Sequence, residues 1–227
     1  MDDQYKIVSK IYNKLSHVYS LGAIPKCRVA GLSGELLDTT ICFIGVGHGD
    51  EAIHAARNGA RVTVVDLSAS MLDKFKQKMT LRASEFKHTI RIVQDDVMAF
   101  LKDSEESFDK VVANFFLNVF PLSELETIVS LVMANLKQDG ELIVGDFYLS
   151  RDKGGLTGVF QRSFQRVNWY LALLLFRLMT ANTWHGIYHY DAVMTGLGMK
   201  LEKRKLFRVL GIPMYQSSSY KKSHPAG

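Results

Sequence analysis

The sequence predicts an α/β fold: a mostly parallel sheet with helices on both faces and an antiparallel hairpin at the C-terminal end. Three observations carry this reading. Short β-branched runs alternate with helical patterns between residues 40 and 146, the signature of βαβ units. The first of these runs feeds a loop with glycine at every second position, and two strand-like runs near the C-terminus are joined by a tight turn.

Length and composition fit one globular unit. The 227 residues are 47% hydrophobic and 22% charged, and a chain of this size buries about 70% of its unfolded surface without a disulfide or metal staple. Disorder is excluded as the main theme. Two cysteines, Cys27 and Cys42, and an acidic opening without a signal-peptide stretch predict a reducing cytoplasm. No run reaches the ~18 to 20 apolar residues of a membrane span. The longest, Trp169 to Phe176, is stopped by Arg177 and reads as a buried or interfacial helix.

The net charge of +5 is unevenly placed. Residues 1–150 carry 16 basic against 20 acidic side chains, whereas residues 200–222 carry 7 against 1. We read Lys200, Lys203, Arg204, Lys205 and Arg208 as the solvated face of a strand rather than as a nucleic-acid surface.

The elements follow in order. Tyr5, Ile7, Val8, Ile11, Tyr12, Leu15, Val18 and Tyr19 recur at three and four, which predicts an amphipathic helix over Gln4–Ser20. Strands are expected at Thr40–Gly45, Arg61–Asp66, Thr89–Val93, Phe108–Asn114 and Gly140–Asp146. Between them come helices at Asp50–Asn58, Ser70–Thr80, Val97–Lys102 and Leu122–Leu136, the last closed by Gly140 as a left-handed cap. Residues 151–185 read as an inserted helical segment, entered through Gly154-Gly155 and ended near Thr180-Ala181-Asn182. Lys200–Arg208 and Met214–Lys221, joined by a Gly-Ile-Pro turn, predict an antiparallel hairpin at the sheet edge. There is no internal repeat and no low-complexity tract.

The most informative stretch runs from Ile41 through Gly45-Val46-Gly47-His48-Gly49 to Asp50-Glu51. In an open α/β sheet the carboxyl end of the first strand lies where ligands bind. Glycine there lets a ligand approach the backbone with no Cβ in the way. Seventeen residues past Gly49 the second strand ends at Asp66, placed to accept the hydroxyls of an adenosine ribose. Either signal alone has innocent causes, since a strand-end Asp is often only a helix cap. Together they point to a nucleoside-bearing ligand. A dinucleotide loop reads G-x-G-x-x-G, but here the third glycine falls one place early and Asp50 stands where it would be. Asp50 and Glu51 suit a helix N-terminus yet repel phosphate, so a ligand carrying positive charge is the more compatible one.

Gly45-x-Gly47-x-Gly49, Asp66 with Ser68 and Met71, Gln94-Asp95-Asp96-Val97, Phe108-Asp109 to Asn114, and Leu136-Lys137-Gln138-Asp139-Gly140-Glu141-Leu142 occur in this order. They resemble the successive motifs of class I S-adenosylmethionine-dependent methyltransferases. The similarity is close over residues 40 to 146. The flanks more loosely resemble the small-molecule group that includes quinone and other natural-product methyltransferases. The resemblance implies a Rossmann-like sheet with a helical lid insertion, and S-adenosylmethionine as cofactor. It further implies that Gly45, Gly47 and Gly49 pass under the methionine part and that Asp66 binds the ribose. Leu67 and Met71 would line the adenine, Asp96 would accept its amino group, and the Val97 amide would meet its ring. Asn114, Phe115 and Phe116 would face the reacting methyl group. The chain departs from the family at Phe43, where an acidic residue usually helps hold the methionine amino group; Asp50 or Glu51 is placed to substitute. On this reading residues 1–227 form a single methyltransferase domain. Residues 1–39 are an N-terminal helical cap, 40–150 the cofactor-binding core, 151–190 a helical insertion or lid, and 191–227 a C-terminal helix and strand hairpin.

Methyl transfer from a sulfonium depends mostly on positioning, and a base is needed only where the acceptor must lose a proton. The cluster Trp184-His185-Gly186-Ile187-Tyr188-His189-Tyr190-Asp191 supplies His185 and Tyr188 as candidate catalytic residues. The competing reading has His185, Tyr188 and Tyr190 capping and packing a helix that begins near Asp191. No metal site is expected: His185 and His189 are four apart, but Gly186 intervenes and no H-E-x-x-H pattern occurs. Phe160, Phe164, Val167, Trp169 and Tyr170, with Arg162 and Arg166 interleaved, suit a cover over a small apolar or aromatic acceptor. Residues 160–179 also suit a peripheral membrane contact, and plain packing against the sheet competes with both. Sequence-specific nucleic-acid binding is not expected, because Asn114-Phe115-Phe116-Leu117 lacks the paired prolines of nucleic-acid methyltransferases. A nicotinamide reductase is disfavoured, since none of the nine tyrosines has Lys four residues later. A non-catalytic S-adenosylmethionine sensor, or a relative using the cofactor for chemistry other than methyl transfer, stays open as an alternative.

Overall fold

A computed structural model describes residues 20–47, 49–81, 86, 88, 90–150, 155–179 and 187–223. The helix predicted over Gln4–Ser20 lies, apart from Ser20, outside them. The described chain runs α1 (Ala23–Ala30), β1 (Thr40–Ile44), α2 (Asp50–Arg57), β2 (Arg61–Asp66), α3 (Ala69–Thr80) and β3 (Arg91–Gln94). It continues through α4 (Val97–Asp103), β4 (Phe108–Asn114), a 3-10 turn at Leu117–Val119, α5 (Leu122–Asn135) and β5 (Leu136–Phe147). The last elements are α6 (Gly155–Met179), α7 (Tyr190–Gly196), β6 (Met199–Val209) and β7 (Ile212–Lys222).

The seven strands form one sheet in the order β3-β2-β1-β4-β5-β7-β6. β1, β2, β3, β4 and β5 pair in parallel, and β7 pairs antiparallel with both β5 and β6. The alternation of side chains along β1 builds both helical layers. Ile41 and Phe43 pack on one face with Val62, Ile53 of α2 and Phe75 of α3. Cys42 and Ile44 pack on the other with Val111, Phe100 of α4 and Leu125 and Val129 of α5. Each such fully buried side chain contributes roughly 1.5–3 kcal/mol. A third cluster joins Ile24 and Cys27 of α1, Trp169 of α6, and Phe147 and Tyr215 of β5 and β7. It covers the carboxyl ends of the central strands.

Three local expectations are corrected. Gly140 does not cap α5. That helix stops at Asn135, whose amide donates to the carbonyls of Leu131 (2.9 Å) and Leu101 (2.7 Å), and the chain turns extended at Leu136. Gly140 lies within β5, where a Cβ would stand 2.9 Å from the Phe108 carbonyl oxygen, so close backbone contact requires glycine. The hairpin turn is Leu210-Gly211, both left-handed at φ +49° and +82°, while Ile212 and Pro213 already belong to β7. Finally, Arg204 is not part of a solvated face. Its guanidinium pairs with both oxygens of Asp191 and its Nε donates to Ser218 Oγ at 3.0 Å, tying α7 to the hairpin. Lys200, Lys203, Lys205 and Arg208 are exposed, as expected.

α6 occupies the predicted insertion; the predicted entry at Gly154 and the end near Thr180–Asn182 lie outside the described residues. Gln165 anchors it, accepting from the Ser150 amide (3.1 Å) and donating to the Pro213 carbonyl (2.6 Å). Val159, Phe160, Val167 and Tyr170 are exposed on its surface. Among the described residues no helix is long and apolar enough to cross a membrane.

Candidate functional site

The strand order reverses between β1 and β4, which opens a crevice at the carboxyl ends of these strands. The glycine loop lies on it. Gly45, Gly47 and Gly49 are all left-handed, at φ +79°, +50° and +69°. Two of them are also required by packing: a Cβ would stand 2.6 Å from the Phe116 ring at Gly45 and 2.1 Å from the Phe75 ring at Gly49. At Gly47 a Cβ would meet nothing within 4 Å, so this glycine borders open space. The loop presents a bare backbone to the crevice at its middle and is pinned by aromatic rings at its ends.

Asp66 closes the loop from the next strand. Its Oδ2 accepts from the Val46 amide at 2.7 Å and its Oδ1 from the Ser68 amide at 2.8 Å. It does not cap α3; Ser68 does, with Oγ accepting from the Met71 amide at 3.3 Å. Leu67 is exposed and Met71 is half-buried against the core. The end of β3 is tied alongside, because the Asp95 amide donates to the Asp66 carbonyl at 3.2 Å. Asp96 caps α4 through Oδ1, which accepts from the amides of Met98 (2.9 Å) and Ala99 (3.1 Å), and Val97 is buried beneath it. The structure therefore gathers the loop, Asp66, Leu67, Met71, Asp96 and Val97 along neighbouring strand ends.

Asn114 ends β4 on the other side of the crevice. Its Nδ2 donates to the Arg28 carbonyl at 2.9 Å, while Oδ1 is buried and has no partner among the described residues. Phe115 follows in the left-handed region at φ +53°, and its amide donates to the Gly145 carbonyl at 2.7 Å. Its ring packs edge-on against Phe147 and Tyr215, with the Arg28 guanidinium 5.6 Å from its centre. Phe147 in turn packs edge-on against Trp169 of α6, with ring centres 4.8 Å apart. An aromatic wall thus flanks the end of β4.

Phe43 is buried at 3% exposure in an apolar layer, so β1 offers no carboxylate to the crevice. Of the two residues placed to substitute, Asp50 is exposed and pairs with Lys78 at 2.8 Å. Glu51 is buried, facing Arg28 at 4.0 Å.

Sequence reasoning missed Asp146 at the end of β5. Its carboxylate is 1% exposed and accepts from the Asn118 side chain (2.8 Å), the Phe147 amide (2.7 Å) and the Tyr190 hydroxyl. Burial raises its pKa to about 7, against the opposing pull of those three bonds. An acid directly after the run Leu142-Ile143-Val144-Gly145, at a strand end, was the available signal. The Cys27 thiol is also buried nearby, donates to the Gln216 carbonyl at 3.0 Å, and is pushed up by burial and by Asp146. Tyr188 is half-buried, and its hydroxyl donates to the Phe120 carbonyl at 2.8 Å; burial raises its pKa. Tyr190 is buried core at the start of α7. His185 lies outside the described residues. Among the described residues no group of three or more His, Cys, Asp or Glu is placed to hold a metal ion.

Residues 41–140 match a family model described as a methyltransferase domain. Among curated proteins, ribosomal RNA large subunit methyltransferase K/L of Pseudomonas entomophila (strain L48) is 43% identical over 60 residues, 26% of this chain. The chain covers only 8% of that relative's length. Among solved structures, magnesium protoporphyrin IX methyltransferase (ChlM) from Synechocystis PCC 6803, with bound SAH, has a TM-score of 0.62 at 15% identity, covering 90% of this chain and 84% of that one. The 1,6-didemethyltoxoflavin-N1-methyltransferase of Burkholderia thailandensis has a TM-score of 0.64 at 15% identity, covering 97% and 87%. At such identities the likenesses show the fold. The described chain thus has the fold of solved methyltransferases, and its residues 41–140 match the methyltransferase-domain model.

Proposed function

We propose that the protein transfers a methyl group from S-adenosylmethionine to a small apolar or aromatic acceptor held over the carboxyl ends of β4 and β5. One observation supports this above the rest: Asp66 clamps the glycine loop beside a crevice that opens at Gly47. The residues present fit the cofactor. Gly47 leaves the backbone bare, Asp66 supplies an acceptor-only carboxylate at the end of β2, and Glu51 adds a buried carboxylate suited to a cationic ligand.

When bound, S-adenosylmethionine supplies a methyl carbon on a sulfonium, and the pair of the breaking C–S bond returns to sulfur, so the leaving thioether needs no proton. The chain's contribution is placement and exclusion of water. Gly45, Gly47 and Gly49 shape the floor, and Asp66 holds the sugar. Leu67 and Met71 flank the base, with Asp96 and Val97 meeting its polar edge. The second Asp96 oxygen, Oδ2, takes the amino group while Oδ1 caps α4. Asn114 closes the end of β4, its Oδ1 packed against Gly145 and its Nδ2 held by the Arg28 carbonyl. Phe115, Phe147, Trp169 and Tyr215 form the apolar wall, and α6 is the lid. His185 is the base for an acceptor that must lose a proton, and Tyr188 frames the loop at Phe120.

A second reading, a sensor that binds the cofactor without turnover, is favoured by Phe43, which removes the usual β1 carboxylate. The test is transfer of isotopic methyl from S-adenosylmethionine into an extract of small metabolites. Label in an extractable aromatic or apolar product is the expected result. Cofactor binding without label in any product would select the sensor.

A further inference from the structure

We propose that Arg28 and Glu51 form the subsite that recognises the amino-acid end of the methyl donor, in place of the carboxylate that β1 lacks. The inference rests on the proposed function and deepens it. Glu51 is the second residue of α2, two places after Gly49, and its side chain is 7% exposed. Arg28 reaches it from α1 with a side chain 11% exposed. The charges stand 4.0 Å apart, beyond a hydrogen bond, and Arg28 Nε is buried with no hydrogen-bond partner among the described residues. A buried guanidinium nitrogen without a hydrogen bond leaves part of its desolvation uncompensated. A ligand that completes both sides removes that penalty.

A zwitterion does so. A guanidinium fork suits a carboxylate, and Glu51 accepts from an ammonium. The pair also stands in the right place. The Arg28 carbonyl is bonded to Asn114 at the end of β4, and its guanidinium lies 5.6 Å from the Phe115 ring, so it spans the crevice between the glycine loop and β4. The other acids nearby are otherwise engaged: Asp50 with Lys78 at 2.8 Å, and Asp66 with the amides of Val46 and Ser68.

Calorimetric titration of the full chain with two ligands separates this subsite from the rest. S-adenosylhomocysteine carries the amino acid; 5′-methylthioadenosine keeps the adenosine and thioether without it. Wild type should bind the first about 10-fold or more tightly than the second. Glu51→Gln and Arg28→Met should each bring S-adenosylhomocysteine close to the weaker ligand, while affinity for 5′-methylthioadenosine stays within about 2-fold. Arg28→Lys keeps the charge without the fork, tolerates the buried site better, and should lose about 3-fold or more on S-adenosylhomocysteine alone. Unchanged affinity for S-adenosylhomocysteine in the variants, or a parallel loss of both ligands, overturns the subsite. Wild type binding the two equally also overturns it and leaves the proposed function standing. Wild type binding neither removes the proposed function, and the subsite with it.

Discussion

Asp66 at the end of β2 holds Val46 in the glycine loop: its Oδ2 accepts from the Val46 amide at 2.7 Å. The other oxygen takes the Ser68 amide at 2.8 Å, so one carboxylate fixes the loop and the entry to α3 together. Hydrogen bonds to a charged group contribute roughly 1.5–3 kcal/mol each when fully desolvated, and less at this half-buried site. Asp66→Ala should therefore lower unfolding free energy by about 2 kcal/mol and speed amide exchange at Val46 and Ser68 with no ligand present. Unchanged exchange at both amides would contradict the clamp.

Gly49 and Gly47 in the loop should respond differently to alanine. At Gly49 the left-handed backbone and the Phe75 ring 2.1 Å from a new Cβ act together, and Gly49→Ala should cost about 3 kcal/mol in chemical denaturation. At Gly47 only the backbone is strained, so Gly47→Ala should cost about 1–2 kcal/mol. Its Cβ would enter the crevice, and ligand affinity should fall more than stability does.

Asp146 predicts a pH dependence. Its folded pKa of about 7 lies above the ordinary carboxyl range, with burial as the main cause. The protonated form is thus favoured by folding: this contribution is complete below about pH 4 and is lost as pH rises through 7. Wild-type stability should fall between pH 4 and 8 relative to Asp146→Asn, by up to about 1.4 kcal/mol per unit in the steepest region. Parallel stability profiles of the two proteins would exclude the shift.

Tyr188 and His185 should separate in a transfer assay. The Tyr188 hydroxyl donates to the Phe120 carbonyl, so Tyr188→Phe should cost about 1 kcal/mol of stability and leave turnover within about 3-fold. For an acceptor that loses a proton, His185→Ala should lower turnover by about 100-fold or more, with partial recovery at high pH. Similar turnover in the two variants would remove His185 as base.

Much of this architecture was legible because β1, β2 and β4 are short apolar runs between strong punctuation, and the observed Arg61–Asp66 and Phe108–Asn114 coincide with the expected strands. Local signals failed where long-range contact decides. Gly140 looks like a helix cap, but its place is set by the Phe108 carbonyl 32 residues earlier. Arg204 looks like one solvated charge in a basic run, but Asp191 draws it inward. At the strand ends, the places of Asp66 and the loop glycines were readable from spacing. Asp146 and Arg28 were not, because their burial comes from Tyr190 and Glu51, partners distant in sequence.

The most direct measurement is the affinity of S-adenosylhomocysteine for wild type and for Asp66→Ala, with stability measured on the same samples. A one-to-one complex that weakens about 10- to 100-fold on substitution, while the variant remains folded, is the predicted result. Equal affinity in the two proteins, or no complex with wild type, would contradict a sugar-holding carboxylate at the end of β2.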